Sequence, residues 1–253
     1  CGKDRIHPST DGHLVMAYLF LKAQGLAGKP VADIRIDGAG KKVTRSDNCR
    51  VSDLSVSSDN LTFTYEAKSL PYPIDTSYYD NEKHTQADAL SVIPFMDEMN
   101  YEGLSVSGLL DGYYGLTIGG EFIGRFTARE LERGINMALL QNTPQYKQAM
   151  KIRQMNEERW LKERKMREFY WVEYNLMRKT GMLWACNEAA VDTLRKYRPH
   201  DIFLQWNGAL WLQYMHKGIR EDCVNEQQDL VNQIYEQNKP IPLRIEIKKF
   251  TDL

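Results

Sequence analysis

The strongest constraint on how this chain folds is a change of hydrophobic period at Thr127-Ala128-Arg129-Glu130. These residues form a capping box, in which a Thr hydroxyl and a Glu carboxylate reciprocally satisfy backbone amides at a helix start. Before the box the chain alternates with period two, as half-buried strands do; after it, apolar residues recur at helical spacing. Val31, Asp33 and Arg35 alternate with Ala32, Ile34 and Ile36, and Asp37-Gly38 offers a hairpin-type turn. Val51 to Val56 and Leu61 to Tyr65 read as strands on either side of the turn Ser57-Ser58-Asp59-Asn60. Leu70-Pro71-Tyr72-Pro73 ends this region, because neither Pro can donate to a ladder. The polar, Tyr-rich stretch Asp75 to Thr85 reads as a surface loop. A second β unit opens at Leu104-Ser105-Val106, and Tyr114, Leu116 and Ile118 lead through Gly119-Gly120 into Phe122 to Phe126.

Beyond the box, Leu131, Ile135 and Leu139 predict one helix, and Thr143-Pro144 restarts another with a hydroxyl cap and Pro at the first position. That second helix is expected to run to about Thr180 and stop at Gly181. Further helix is predicted over Ala185–Tyr197 and Asn207–Glu236, with Pro240 and Pro242 as stops and a last strand over Arg244–Ile247. Asn136, of poor helix propensity, is expected to bond a neighbouring loop. The fold class is therefore α+β, with a β-rich module over 29–126 and a mainly helical module over 127–253.

Residues 1–28 stand apart. From Thr10 or Asp11 a helix is predicted to Gln24, ending at Gly25, with Leu14, Ala17, Tyr18 and Leu21 on one face. Val15, Met16, Leu19 and Phe20 make the other side apolar too, so the helix should be buried all round. Few partners for it follow in the chain, which points to a sheet upstream. The start lacks an initiator Met and a signal peptide, and Cys1 reads as an interior point of a longer chain.

Ahead of that helix lies Asp4-Arg5-Ile6-His7-Pro8. A carboxylate three residues from an imidazole can fix its tautomer while the far ring nitrogen faces a reacting group. The same spacing also describes a loop His beside a convenient carboxylate. The run Asp4 to His13 followed by an apolar helix resembles the last conserved block of the SGNH (GDSL-type) hydrolases. Leu70 to Pro73, Leu104 to Leu109, Gly112 to Ile118 and Gly134 to Ala138 look like the C-terminal extension of a bacterial subgroup of that family.

The resemblance implies that residues 1–28 are the final loop and helix of a flavodoxin-like α/β/α domain, with His7 as general base and Asp4 as its orienter. His13 would dock the helix start. It implies ester hydrolysis through an acyl-enzyme on a small or glycan ester, no cofactor, and an extracytoplasmic setting. Neither a Gly-Asp-Ser block nor a G-x-S-x-G elbow occurs in the chain, so the partner it implies is an N-terminal segment carrying the Ser, and the chain alone should be inactive. The rival reading is a non-enzymatic binding or scaffolding module.

Other signals are weaker. Net charge is -1, giving no field for nucleic acid, and no apolar run reaches membrane-spanning length. Basic residues around Trp160 are interleaved with Glu157, Glu158, Glu163 and Glu168, which suits a solvated helix with i, i+4 pairs. Phe169-Tyr170-Trp171 with Tyr174 should pack in a helical hairpin or, partly exposed, stack on sugar rings. His84, His200 and His216 share no ligand spacing, and the four cysteines show no CxxC pair.

Overall fold

The computed structural model describes residues 6–77 and 84–250. It is α+β, with two sheets and several helices, and divides into two compact units. The first comprises residues up to Lys151 together with those from Asn238 onward; the second is Ile152–Gln237.

In the first unit, α1 (Thr10–Ala23) precedes β1 (Ala32–Asp37), β2 (Lys42–Asp47), β3 (Cys49–Val56) and β4 (Asn60–Ala67). A 3₁₀ turn (Gln86–Ser91) and a short α2 (Phe95–Glu98) lead to β5 (Glu102–Ser107), β6 (Tyr113–Ile118) and β7 (Glu121–Thr127). Then come α3 (Ala128–Arg133) and β8 (Ile135–Asn136), and the last strand is β9 (Leu243–Lys249). One sheet has the order β2-β1-β5-β8, the other β3-β4-β9-β6-β7. Their apolar faces meet in a single core built from Ile34 and Ile36 of β1, Phe63 of β4, Leu104 of β5, Leu116 of β6 and Ile245 of β9.

Several local expectations hold. Gly119 and Gly120 have φ of 59° and 84°, the left-handed pair a two-residue hairpin needs, and Ile118 pairs Glu121 across it. The Thr127–Glu130 box is formed, the Thr hydroxyl accepting the Glu130 N–H at 3.1 Å and the carboxylate accepting the Thr127 N–H at 2.7 Å.

Four expectations are corrected. The helix after the box ends at Arg133, since Gly134 adopts φ 94° and turns the chain into β8; Ile135 is thus in a strand and Leu139 in an exposed 3₁₀ turn. The predicted helix Asn207–Glu236 is two, α6 (Ile202–Tyr214) and α7 (Lys217–Gln237). The stretch 75–85 is not wholly surface, because Asp75 and Thr85 at its ends are buried. Division at 28 and 126 also differs from the compact units. β9 lies between β4 and β6, which returns residues 243–249 to the β-rich unit, and α1 packs in that unit on Ile74, Ala89, Ile93 and Phe95.

In the second unit α4 (Pro144–Val172), which begins in the first, continues through a π turn (Glu173–Met177). Then follow α5 (Glu188–Tyr197), α6 and α7. Ion pairs Arg153–Glu157, Arg159–Glu163 and Arg164–Glu168 line α4 at i, i+4, as expected of a solvated face. Among the described residues no helix is long and apolar enough to cross a membrane.

Candidate functional site

The loop that enters α1 carries the residues singled out for chemistry. His7 is described and exposed, whereas Asp4 lies outside the described residues, and with it the expected hydrogen bond between the two. Ser9, which caps α1 in extended conformation, is buried and donates its hydroxyl to the Asp11 carboxylate. The Gly12 N–H also donates to that carboxylate, at 2.8 Å. Burial works against the charge on Asp11, but the Ser9 hydroxyl, the Gly12 N–H and the nearby His84 outweigh it, holding the carboxyl below its usual range. His13, expected to dock the helix start, is exposed, and its backbone N–H closes the first turn on the Ser9 carbonyl.

α1 is held by one stripe only. Leu14 and Tyr18 are buried, and the Tyr18 hydroxyl donates to Glu98 at 2.7 Å, where Lys22 completes the cluster. Met16, Leu19 and Phe20 remain 59%, 56% and 64% exposed. The expectation of burial on every side is met on that one stripe among the described residues.

Asn136 does what its poor helix propensity suggested, though from a strand. Its amide donates to Met96 O and Asn100 O at 3.0 and 3.2 Å, and its oxygen accepts the Glu102 and Ala138 N–H groups. The segment leading into β5 and the first residue of β5 are thereby tied to β8.

One buried acid was missed. Glu102 is fully buried in β5, accepting the Tyr65 hydroxyl at 2.8 Å and the Gln145 amide at 3.2 Å. Burial pushes its carboxyl up to about 7, against the pull of those two donors. A signal for it existed: with period two, Leu104 and Val106 pointing inward place residue 102 on the same face.

The thiols divide by burial. Cys49, Cys186 and Cys223 are free; burial raises the Cys49 thiol to about 11, the state of an inert core cysteine. Cys186 is exposed, 3.4 Å from His216 Nδ1. No cluster of three or more His, Cys, Asp or Glu positioned for a metal occurs among the described residues.

In the second unit the π turn carries Glu173 into the interior, where it accepts the Trp211 indole N–H at 2.7 Å and the Trp184 backbone N–H at 2.8 Å. Of the aromatic run expected to pack in a hairpin, Phe169 is buried, while Tyr170 and Tyr174 are exposed.

With this geometry in view, comparison with known proteins gives two likenesses. Residues 150–239 match the family described as the diltiazem deacetylase C-terminal helical domain, nearly the span of the second unit. The solved structure of a gut microbial diltiazem-metabolizing enzyme is 40% identical and superposes on 99% of this chain with a TM-score of 0.92. The chain spans 57% of that enzyme's chain. No curated protein matches.

Proposed function

We propose that this chain is the C-terminal portion of an SGNH-type serine esterase that removes small acyl groups, acetyl foremost, from alcohols. The likeness that carries this reading is the 40% identity, across 99% of the chain, to the diltiazem-metabolizing enzyme. The deacetylase family matched over residues 150–239 names the same class of reaction. The resemblance of Asp4 to His13 to the final SGNH block supplies the residues, and residues 1–28 would complete a flavodoxin-like domain.

In the proposed cycle a serine hydroxyl, from a segment outside these 253 residues, attacks the ester carbonyl while His7 accepts its proton. The bond from serine oxygen to acyl carbon forms, and the bond from that carbon to the alcohol oxygen then breaks, the alcohol leaving with the proton from His7. Water, deprotonated by His7, attacks the acyl-enzyme in turn; the serine–acyl bond breaks, acetate leaves, and the serine regains its proton. Asp4 holds the imidazole in the required tautomer and stabilises its charged form. No cofactor enters the cycle. The exposure of His7 and of Met16, Leu19 and Phe20 supports a surface completed by that segment. Alone, the chain would be inactive.

The experiment joins this chain to the part of the diltiazem-metabolizing enzyme that it does not match, and follows hydrolysis of 4-nitrophenyl acetate. Activity is expected in the chimera and absent from the chain alone. His7→Ala should lose it by about 10⁶-fold, with an unchanged circular dichroism spectrum. Unaltered turnover by the His7→Ala chimera overturns the assignment of the base.

A further inference from the structure

The second unit holds two neighbouring clefts that share a wall, the indole of Trp171. One, about 450 Å³, is lined by Trp171, Asn175, Lys179, Tyr197, His200 and Asp201, among others. The other, about 320 Å³, is lined by Trp160, Arg164, Arg167, Glu168, Trp171 and Asn207. The second cleft is floored by one stripe of α4, positions 160, 164, 167, 168 and 171 at helical spacing, and the first continues from Trp171 along the π turn to Lys179. Trp160 and Trp171 are eleven residues apart on that stripe, about 16 Å at 1.5 Å per residue. The opposite side comes from α6 and the turn before it.

The side chains here are not arranged as a core would be. Trp160 is 46% exposed with the Arg167 guanidinium over one face at 5.6 Å, Tyr197 is 41% exposed with Lys196 over one face at 5.6 Å, and Trp171 is half-buried and backed by Phe203 at 5.3 Å between ring centroids. Between these rings stand groups of both hydrogen-bonding polarities. Lys179 donates only; Asp201 caps α6 through Oδ1 and accepts with Oδ2; Glu168 is paired with Arg164 and accepts with its second oxygen; His200 and the Tyr197 hydroxyl do either. The π turn contributes as well, because it fixes Asn175, whose amide donates to Trp171 O at 2.9 Å, beside the indole.

The unit as a whole is neutral, with thirteen Lys and Arg against thirteen Asp and Glu over Ile152–Gln237. That balance selects among guests. The clefts themselves carry Arg164, Arg167 and Lys179 against Glu168 and Asp201, a single excess positive charge that gives a polyanion little to bind. An apolar guest would strip water from Lys179 and Asp201 without offering either a partner. A saccharide satisfies both kinds of lining: its C–H faces lie on aromatic rings, and its hydroxyls donate and accept around the edge.

We infer that these clefts form a binding site for a neutral saccharide chain several rings long, with Trp171 and Trp160 as stacking platforms and Lys179 and Asp201 fixing hydroxyl groups. The site asks only for binding, so it stands apart from the esterase reading.

The test is affinity electrophoresis of the full chain in native gels containing xylan, galactomannan or mixed-linkage β-glucan, with heparin as the polyanion. Retardation by at least one neutral polysaccharide and none by heparin is expected. Trp160→Ala and Trp171→Ala should each weaken it about tenfold, the scale of one lost aromatic contact. Trp160 is exposed, so its variant keeps the fold even if Trp171→Ala does not, and circular dichroism checks both. The inference is overturned by no retardation in any neutral gel, by retardation in heparin alone, or by retardation that folded Trp160→Ala leaves unchanged.

Discussion

Replacing Glu102 by Gln should stabilise this protein in mild alkali and leave it nearly unchanged in acid. Glu102 is fully buried, and its carboxyl is held at about 7 against an ordinary 4.5, burial being the main cause. Between those two values the folded state keeps a proton that the unfolded chain releases. The stabilisation tied to that proton is therefore complete below about pH 4.5 and lost as pH rises through about 7. Two and a half pH units at 1.36 kcal/mol each give about 3 kcal/mol. Gln has the same shape and carries no charge. Its oxygen still accepts from Tyr65, and its amide can donate to Gln145 Oε1, an acceptor with no hydrogen-bond partner among the described residues, once the Gln145 amide turns over. Glu102→Gln should then be more stable than the parent by about 3 kcal/mol at pH 8, or about 6–12 °C in Tm for a unit of this size. At pH 4.5 the two should agree closely. Asp11, Glu98 and Glu130, whose carboxyls are held low, impose the opposite pH trend on both proteins, so the difference between the two melting curves isolates Glu102. A Glu102→Gln protein that melts below the parent at pH 8, or a difference that does not vary with pH, refutes the reasoning.

Two further outcomes follow from single contacts. Thr127→Ala removes the hydroxyl that accepts the Glu130 N–H and should cost about 1 kcal/mol in urea denaturation, with little effect in a Glu130→Ala background, where the box is already broken. Trp211→Phe keeps an aromatic ring, smaller than the indole, and takes a donor from the buried Glu173 side chain, which together should cost about 2–3 kcal/mol, followed by near-ultraviolet circular dichroism of the helical unit; loss below half a kcal/mol would mean that water replaces the indole.

Features set by neighbours in the chain were readable in advance. The Gly119-Gly120 turn, the Thr127 box and the Pro144 start each depend on a few consecutive residues, and each is found where its chemistry put it. Strand β2 was not read, because Lys42–Asp47 is polar on both faces, as an exposed edge strand can be. Nor does any local signal announce that β1 pairs in parallel with β5, or that β9 enters between β4 and β6 from more than a hundred residues away. The same limit applies to sites. The expectation at His7 rests on its own neighbourhood, and the burial of Glu102 follows from the period of β5. The clefts around Trp171 need folding to bring residues 160 to 207 together.

The exposed stripe of α1 bears on how the proposed catalytic segment is held. Met16, Leu19 and Phe20 are each a little over half exposed, and full burial of such side chains is worth roughly 1.5–3 kcal/mol apiece. Covering what is still exposed would return about 3–5 kcal/mol in all. Bringing two separate chains together costs an estimated 4–15 kcal/mol in lost translational and rotational freedom, which this stripe alone would not offset. Joined in one polypeptide, the same contacts act at an effective concentration near millimolar, which raises the docked population about a thousandfold over a micromolar mixture. The serine-bearing segment should therefore support esterase activity strongly when fused ahead of this chain and feebly when mixed with it at micromolar concentration. Changing Met16, Leu19 and Phe20 together to Gln should weaken the mixture further while the fused protein keeps most of its turnover. Equal activity from the mixed and fused forms would show that contacts far larger than the α1 stripe join the two parts.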